Sequence, residues 1–161
     1  MHYRRAQAGD FLAIAALDRR AWLQNRHAEY IPDGEHVWRV WCEYALVYCA
    51  VDPENGTAGG DTVVAAILAF PTENGPYWVH KVFVDQAHRG QGVGSRLFDL
   101  LLVEIDHLGV DAALTVDPVN EAAKALYAKW GFTEAQLVKG YYRDYEDRYV
   151  LTRPARPSER G

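Results

Sequence analysis

The most informative stretch of this 161-residue chain is Arg89-Gly90-Gln91-Gly92-Val93-Gly94-Ser95. It follows an alternating apolar run over residues 77–84 and precedes a strongly helical run over residues 96–108. This order predicts a strand, a glycine turn and a helix. Glycines let a backbone approach a ligand closely, and the start of a helix offers unpaired N–H groups and a positive dipole. The stretch therefore predicts an anion site, most often one for phosphate.

Two other glycine-rich phosphate loops fit this stretch badly. A nucleotide-binding P-loop ends in Gly-Lys-Ser/Thr, whereas Gly94 is followed by Ser95 and Arg96. The dinucleotide fingerprint places its last glycine one residue further on and usually opens a βαβ unit, whereas several strand-like runs precede this turn. A nucleotide-dependent oxidoreductase is a rival hypothesis that absence of NAD(H) binding would discard. A tight turn without a ligand is the other alternative.

The spacing that does fit is Arg/Gln-x-x-Gly-x-Gly/Ala, which resembles the acetyl-CoA loop of the GNAT N-acetyltransferase superfamily. A second segment, Asp117 to Phe132, resembles the later part of the same superfamily's core. In it Asn120 opens a helix, Tyr127 follows seven residues later, and Gly131-Phe132 closes the segment. The resemblance covers about residues 3–152 of the chain.

The pattern along the chain predicts a mixed sheet flanked by helices. Asp10 is a candidate cap for the first helix, and a long turn is expected at residues 52–61. The helix between the fourth and fifth strands requires a parallel pair, whereas the short connection before the fourth strand favours antiparallel pairing. Helices are predicted at residues 11–23, 35–44, 96–108 and 120–130, and strands at residues 3–6, 46–51, 63–70, 77–84, 112–116, 132–138 and 146–151.

The fold class expected is therefore α/β, with a mixed sheet of about six to seven strands. The resemblance implies the GNAT acyl-CoA N-acyltransferase fold, in which strands 4 and 5 splay apart. We expect a single domain over residues 1–152. Residues 153–161 are rich in Pro and Arg and are predicted to be a disordered tail.

Composition limits the classes of function. Hydrophobic residues make up 49% and charged residues 24% of the chain, as in an ordinary globular protein, and no apolar run approaches the ~18 residues of a membrane span. A net charge of −5 argues against nucleic-acid binding. Neither Cys42 nor Cys49 has a neighbour at metal-ligand spacing, so no metal is expected. Without a secretory signal or a disulfide framework, we expect a cytoplasmic protein, and the resemblance allows a homodimer.

The resemblance implies an N-acetyltransferase that moves an acetyl group from acetyl-CoA to a primary amine by direct attack in a ternary complex. The alternative is a non-catalytic CoA-binding or regulatory module of the same fold. Asn120 is a candidate for the CoA arm or merely a helix cap. The backbone N–H groups of residues 89–95 are expected to hold the pyrophosphate, Val82 and Val84 to pair with pantetheine, and an N–H near Val82 or Phe83 to stabilise the oxyanion.

Two residues are candidates for proton transfer. Tyr127 matches the superfamily's tyrosine that faces the departing sulfur, where its hydroxyl can donate a proton; the alternative is a half-buried core aromatic. His80 is the candidate base, because histidine is a residue type suited to removing a proton from an ammonium group, although it is equally well interpreted as a structural strand residue. Alternation along the strand places Trp78 and His80 on one face with Val82 and Val84, and Lys81 on the other.

The acceptor is expected to be a small-molecule amine or a protein or peptide N-terminus. The segment from Gly140 to Leu151 resembles the Tyr-Tyr…Glu-Asp-Ala segment of ribosomal-protein and other N-terminal acetyltransferases, in which the tyrosines line a peptide-binding loop. Tyr141 and Tyr142 are candidates for that role. The chain departs from the pattern at Thr115, where those enzymes have a glutamate, and at Arg148, where they have a small residue. Trp38 and Trp78 are further candidate acceptor contacts, and Trp38 is equally a candidate core residue.

Overall fold

The computed structural model describes residues 1–24, 32–53 and 62–156, and within these ranges it contains seven strands and four α-helices. Residues 54–61 of the predicted turn and residues 157–161 of the predicted tail lie outside the described residues. In chain order the elements are β1 (His2–Arg5), α1 (Phe11–Leu23), α2 (Glu35–Tyr44), β2 (Leu46–Asp52), β3 (Thr62–Pro71), β4 (Tyr77–Val84), α3 (Val93–Leu108), β5 (Ala112–Val116), α4 (Glu121–Lys129), β6 (Glu134–Val138) and β7 (Arg148–Arg153).

The strands form one mixed sheet in the order β1-β2-β3-β4-β5-β7-β6. Strands β1 and β2 pair antiparallel, as do β2 with β3, β5 with β7, and β6 with β7. Strands β4 and β5 are parallel, and their register contains only Tyr77 opposite Ala112 and Trp78 opposite Ala113. This short register is what the predicted splay of strands 4 and 5 requires, and the expected fold class is confirmed.

The chain divides into two compact units, which are described separately. The first unit comprises Met1–Phe70 and Lys81–Leu101. Its core contains the apolar faces of α1 and α2 together with side chains of β2, β3 and β4. Strand β3 is buried over almost its whole length, which fits its near-continuous apolar sequence better than an alternating pattern would.

The second unit comprises Pro71–His80 and Leu102–Gly161. Its core contains most of β5, with Ile105 of α3, Phe132 and Leu151. A second feature of its interior is an ion pair: Arg153 donates from Nη1 and Nη2 to the carboxylate of Asp106 at 2.6 and 2.8 Å, and from Nε to the carbonyl of Trp130 at 2.8 Å. Arg153 is therefore buried as the last residue of β7, one position beyond the predicted domain boundary. The single domain over residues 1–152 stays a prediction.

One expected helix cap and two expected boundaries differ from the structure. Asp10 does not cap α1, because its carboxylate instead accepts hydrogen bonds from Arg4 and from the backbone N–H of Gln7. Helix α3 begins at Val93, within the glycine turn. Strand β6 begins at Glu134 rather than at residue 132, because the N–H of Phe132 donates to the carbonyl of Tyr127 and so belongs to the end of α4.

Within the described ranges, every helix is too short or too polar to cross a bilayer.

Candidate functional site

The glycine turn of the first unit has the backbone geometry of an anion site. Gly90 and Gly92 have φ angles of +75° and +77°, a region that L side chains rarely adopt. The N–H of Arg96 donates to the carbonyl of Gly92 at 3.0 Å, so the N–H groups of residues 93–95 come before the first helical hydrogen bond. The turn is exposed from Arg89 to Gly92 and again at Ser95. These donors at the positive end of α3 suit a phosphate group.

Two side chains of the turn form hydrogen bonds with other groups of the first unit. Arg89 donates from Nε to the carbonyl of Val84 at 3.0 Å and from Nη2 to the side-chain oxygen of Gln24 at 2.7 Å. Gln91 donates to the carbonyl of Ala87 at 3.2 Å. The backbone is therefore the part of the turn best suited to a ligand. Gln24 is a residue that sequence reasoning missed, because it lies 65 positions from Arg89.

Gly94 has a different reason to be glycine. A Cβ atom there would lie 3.4 Å from Cγ2 of Val84 and 3.9 Å from Cγ2 of Val82. The start of α3 is thus packed closely against the two valines that are the candidate pantetheine partners. Val82 remains 38% exposed in the structure.

Strand β4 has two distinct faces. Val79, Lys81 and Phe83 are the more buried positions, whereas His80 and Val82 are exposed. Lys81 donates to both carboxylate oxygens of Asp18, at 3.0 and 2.8 Å, and pairs with Asp33 at 2.6 Å. Its ammonium group is therefore held on the face opposite His80, as alternation predicts.

Trp38 is not an accessible acceptor contact. It is 0% exposed, it contacts Trp41 and Phe83 edge-on, and its Nε1 donates to Asp18 at 3.0 Å. Indole is buried readily when its N–H finds an acceptor, and the buried carboxylate supplies one. The acceptor role predicted for Trp38 is therefore corrected to a core role.

His88 directly precedes the glycine turn but is also buried. Its Nε2 lies 3.2 Å from a carboxylate oxygen of Asp52, at the end of β2. The imidazole therefore holds the single-turn helix of residues 86–88 to β2 rather than facing a ligand.

In the second unit, α4 presents Asn120 and Tyr127 seven positions apart. The side chain of Asn120 accepts from the N–H of Ala123 at 3.1 Å, which makes it a helix N-cap. At the other end, the N–H of Gly131 donates to Ala128 and the N–H of Phe132 donates to Tyr127, with φ of Gly131 at +92°. This is the Schellman arrangement of a glycine-terminated helix. Both ends of α4 are therefore fixed by hydrogen bonds predicted from the local sequence.

The phenol of Tyr127 lies in an aromatic setting. Its ring centroid is 6.4 Å from that of Trp130 and 6.0 Å from that of Phe132. Burial raises the pKa of Tyr127 above the ordinary 10.0 of a tyrosine. The hydroxyl therefore keeps its proton throughout the neutral pH range, which a proton donor must do.

The loop between β6 and β7 contains the two predicted acceptor tyrosines. Their rings meet edge-on with centroids 4.8 Å apart. The hydroxyl of Tyr142 lies 3.0 Å from Oγ1 of Thr115 on β5. Thr115, where the resembled enzymes have a glutamate, is thus joined by a hydrogen bond to the predicted peptide-binding loop.

Comparison with known proteins identifies the family. The model of the acetyltransferase (GNAT) family matches residues 11–132. The chain belongs to the GNAT family. The N-alpha-acetyltransferase RimI of Mycobacterium tuberculosis is 41% identical over 78 residues, which are 48% of this chain and 48% of that protein. An uncharacterized protein of Mycobacterium leprae is 43% identical over 153 residues, which cover 89% of this chain and 40% of that protein.

Solved structures agree on the fold. The ribosomal-protein-S18-alanine N-acetyltransferase of Escherichia coli superposes with a TM-score of 0.76 at 24% identity, covering 99% of this chain and 97% of that one. An aminoglycoside 6'-acetyltransferase of type Ii superposes with a TM-score of 0.75 at 16% identity, covering 98% and 99%. This GNAT chain spans about half the length of the first curated relatives it matches.

Within this GNAT chain, the candidate residues fall into one group in each unit. The first unit contains the glycine turn with Val82, Phe83 and Val84. The second contains Trp78, His80, Asn120, Tyr127, Tyr141 and Tyr142. Sequence reasoning missed Gln24 and Asp18, because they hold Arg89 and Lys81 from 65 and 63 positions away along the chain.

Proposed function

We propose that this GNAT chain transfers an acetyl group from acetyl-CoA to a primary amine, by direct attack of the amine in a ternary complex. The observation that carries the proposal is the glycine turn, with two exposed left-handed glycines directly before the start of α3, in a chain that matches the GNAT family over residues 11–132. We also propose that it acts in the cytoplasm and needs no metal.

The first unit supplies most of the coenzyme-binding residues. Backbone N–H groups of the turn, from Arg89 to Ser95, would bind the pyrophosphate, and an added side chain at Gly92 would be strained there. The peptide groups of Val82 and Val84 would pair with the pantetheine amides, as a neighbouring strand does. The N–H of Val82 or Phe83 would stabilise the negative oxygen that develops during transfer. Asn120, of the second unit, would contact the CoA arm in addition to capping α4.

Two residues of the second unit would handle protons. His80 would accept a proton from the acceptor's ammonium group, leaving the amine nitrogen free to attack the thioester carbon. As the bond between carbon and sulfur breaks, the hydroxyl of Tyr127 would donate its proton to the sulfur. The raised pKa of Tyr127 supports this role, because the phenol stays protonated at neutral pH until the thiolate appears.

A peptide N-terminus is the acceptor class that we propose first. The relatives that this chain matches include a ribosomal protein bS18-alanine N-acetyltransferase of Escherichia coli, at 30% identity over 96 residues. The loop with Tyr141 and Tyr142 offers exposed aromatic surface beside β5, and Trp78 lies on the same strand as His80. A small diamino acid is the second class, because an L-2,4-diaminobutyric acid acetyltransferase of Marinococcus halophilus is 34% identical over 100 residues.

The test is to mix the purified chain with acetyl-CoA and an acceptor panel, and to follow the release of free CoA thiol. The panel contains peptides with N-terminal alanine, serine and methionine, the same peptides with blocked N-termini, diamino acids, polyamines and aryl amines. We expect turnover with the free peptides and none with the blocked ones. Each reaction is repeated with Tyr127→Phe, which separates enzymatic transfer from spontaneous acetylation.

The outcomes distinguish the hypotheses. Turnover with diamino acids alone would contradict the peptide assignment and keep the transferase. Tight CoA binding without turnover on any acceptor would favour the non-catalytic module. Absence of CoA binding would contradict the whole proposal.

A further inference from the structure

Glu146 is the organising residue of the loop between β6 and β7. Its carbonyl accepts hydrogen bonds from the N–H groups of Tyr141 and Tyr142 at 2.8 and 3.4 Å, and its own N–H donates to the carbonyl of Arg143 at 2.7 Å. Its carboxylate is buried, being 6% exposed, and pairs with Arg143 and, at 3.4 Å, with Arg148. The loop therefore has internal hydrogen bonds of its own.

The base of the same loop is closed by a second pair. Asp147 accepts from Nζ of Lys139 at 2.8 Å and from the N–H of Gly140 at 2.9 Å. Gly140 has a φ of +58°, which lets the chain turn directly after β6. Both ends of the segment from residue 139 to residue 148 are thus fixed before any ligand arrives.

Tyr142 is exposed and yet held on several sides. Its side chain is 55% exposed. The guanidinium carbon of Arg148 lies 5.2 Å from its ring centroid, the ring of Tyr141 meets it edge-on, and its hydroxyl is hydrogen-bonded to Thr115. Folding gains little from ordering so exposed a ring, whereas a ligand that meets an ordered ring avoids the entropy cost of immobilising it.

Arg148 is the residue that joins these contacts. Its Nη1 donates to the carbonyl of Asp147 at 2.8 Å, its Nη2 faces Glu146, and its planar group lies over Tyr142. A planar guanidinium can stack on a ring and pair with a carboxylate at once, which an ammonium group does less well. One side chain on β7 therefore connects the loop's buried carboxylate to its exposed aromatic ring.

We propose that Arg148 is a positioning residue that holds Tyr142 as a preformed wall for the acceptor. This inference rests on the proposed function and adds a residue that determines acceptor affinity. Arg148 acts through Tyr142, so its contribution disappears when the tyrosine ring is removed.

The experiment combines kinetics with hydrogen exchange on the whole protein. Arg148→Ala, Arg148→Lys, Tyr142→Ala and the double variant Arg148→Ala/Tyr142→Ala are compared, with Arg39→Ala on α2 as the matched control. We expect Arg148→Ala to raise the acceptor KM about 3- to 30-fold, to leave the KM for acetyl-CoA unchanged, and to speed amide exchange across residues 139–148. Arg148→Lys is expected to restore part of the loss.

The double variant decides whether Arg148 acts through Tyr142. We expect it to have the acceptor KM of Tyr142→Ala alone, since the contact is already lost. Thr115→Val removes the hydrogen-bond partner of the Tyr142 hydroxyl and leaves Arg148 in place. It therefore tests the ordering of Tyr142 independently if Arg148→Ala folds poorly. We expect Thr115→Val to raise the acceptor KM and the exchange rate by a smaller factor than Arg148→Ala does.

Three results would overturn the proposal. They are unchanged exchange in Arg148→Ala, faster exchange with an unchanged acceptor KM, and multiplicative effects in the double variant. If the wild-type chain acetylates no acceptor, the proposed function fails and the acceptor wall fails with it. The exchange measurement then still decides whether Arg148 orders Tyr142, so the two failures are distinguishable.

Discussion

The backbone of Tyr127 is fixed by hydrogen bonds at the end of α4, and its phenol ring is half-buried. Its carbonyl accepts the closing hydrogen bond of α4, and two aromatic rings border its own. Removing the hydroxyl should leave this packing intact. The residue therefore offers a direct test of proton donation.

Tyr127→Phe should lower acetyl transfer roughly 10- to 1000-fold, because the departing sulfur loses its proton donor. CoA affinity and thermal stability should stay close to those of the wild type. Steady-state kinetics measure acetyl transfer, a CoA titration measures the affinity, and a melting curve measures the thermal stability. Tyr44→Phe is the control, since Tyr44 is an exposed tyrosine on α2. Unchanged turnover in Tyr127→Phe would remove Tyr127 from the mechanism.

His80→Ala should abolish the acidic limb of the rate profile against pH, because a histidine base loses activity as it becomes protonated. The kcat/KM values are measured between pH 5 and 9. His107→Ala, at the exposed end of α3, should keep the wild-type profile. A limb that survives in His80→Ala would assign the base to another group.

Some residue roles depended on partners far along the chain. The pattern of α2 leaves Trp38 equally suited to a core and to a binding surface, and Asp18, 20 positions earlier, decides for the core. The position of Asn120 and Gly131 at the ends of α4 followed from local sequence, because caps involve residues three to five positions apart. The caps of α4 were therefore predictable from local sequence, whereas the side-chain partner of Trp38 on a distant helix was not.

At the scale of elements, the glycine turn was the most predictable feature. The geometry needed there is local, and glycine is the residue that adopts it without strain. The internal hydrogen bonding of the β6–β7 loop was not predictable, because it depends on the buried carboxylate of Glu146, which forms ion pairs with Arg143 and Arg148. Nothing in the spacing of those residues distinguishes such a loop from a solvated one.

Gly92→Val should weaken CoA binding about 5- to 30-fold without unfolding the first unit. A side chain with φ near +77° is strained by about 1–2 kcal/mol, and relief of that strain moves the N–H groups out of position. Calorimetric titration with CoA measures the loss, and a melting curve checks the fold. Gly9→Val is the matched control, since Gly9 has neither a positive φ nor a neighbour within 4 Å of an added Cβ. Wild-type affinity in Gly92→Val would refute the assignment of the turn.

For the molecule as a whole, connection lengths were enough to predict a mixed sheet. A helix between β4 and β5 imposes parallel pairing, and the short connection between β3 and β4 favours antiparallel pairing. The end of β7 was harder to predict, since a Pro- and Arg-rich sequence is typical of a disordered tail. Arg153 belongs to the interior only because Asp106, 47 positions away, neutralises it.

Asp106→Asn should lower the free energy of unfolding at pH 7 by about 3 kcal/mol, because Arg153 stays buried without its counter-charge. Burial alone would raise the pKa of Asp106, but hydrogen bonds and charge from Arg153 hold that pKa below the ordinary 3.8. The carboxylate therefore stabilises the fold above pH 3.8, and this contribution is lost as the pH falls through the lower folded value.

Urea unfolding of Asp106→Asn and wild type between pH 7 and pH 3 measures this linkage. The gap between the two curves should narrow as the pH falls below 3.8. Glu134→Gln, at an exposed position of β6, is the control. Its free energy of unfolding should change with pH as that of the wild type does. A constant gap between Asp106→Asn and the wild type at every pH would contradict the ionic origin of the stabilisation.

The burial of Arg153 also decides where this protein tolerates a tag or a fusion partner. A chain cut after residue 152 loses the guanidinium group that neutralises Asp106 and binds the carbonyl of Trp130, whereas one cut after Arg156 keeps it together with the hydrogen bond from Ala155 to Asp111. We expect the shorter version to express less well and to melt at a lower temperature than the longer one. For protein engineering, a C-terminal junction therefore has to lie beyond Arg153.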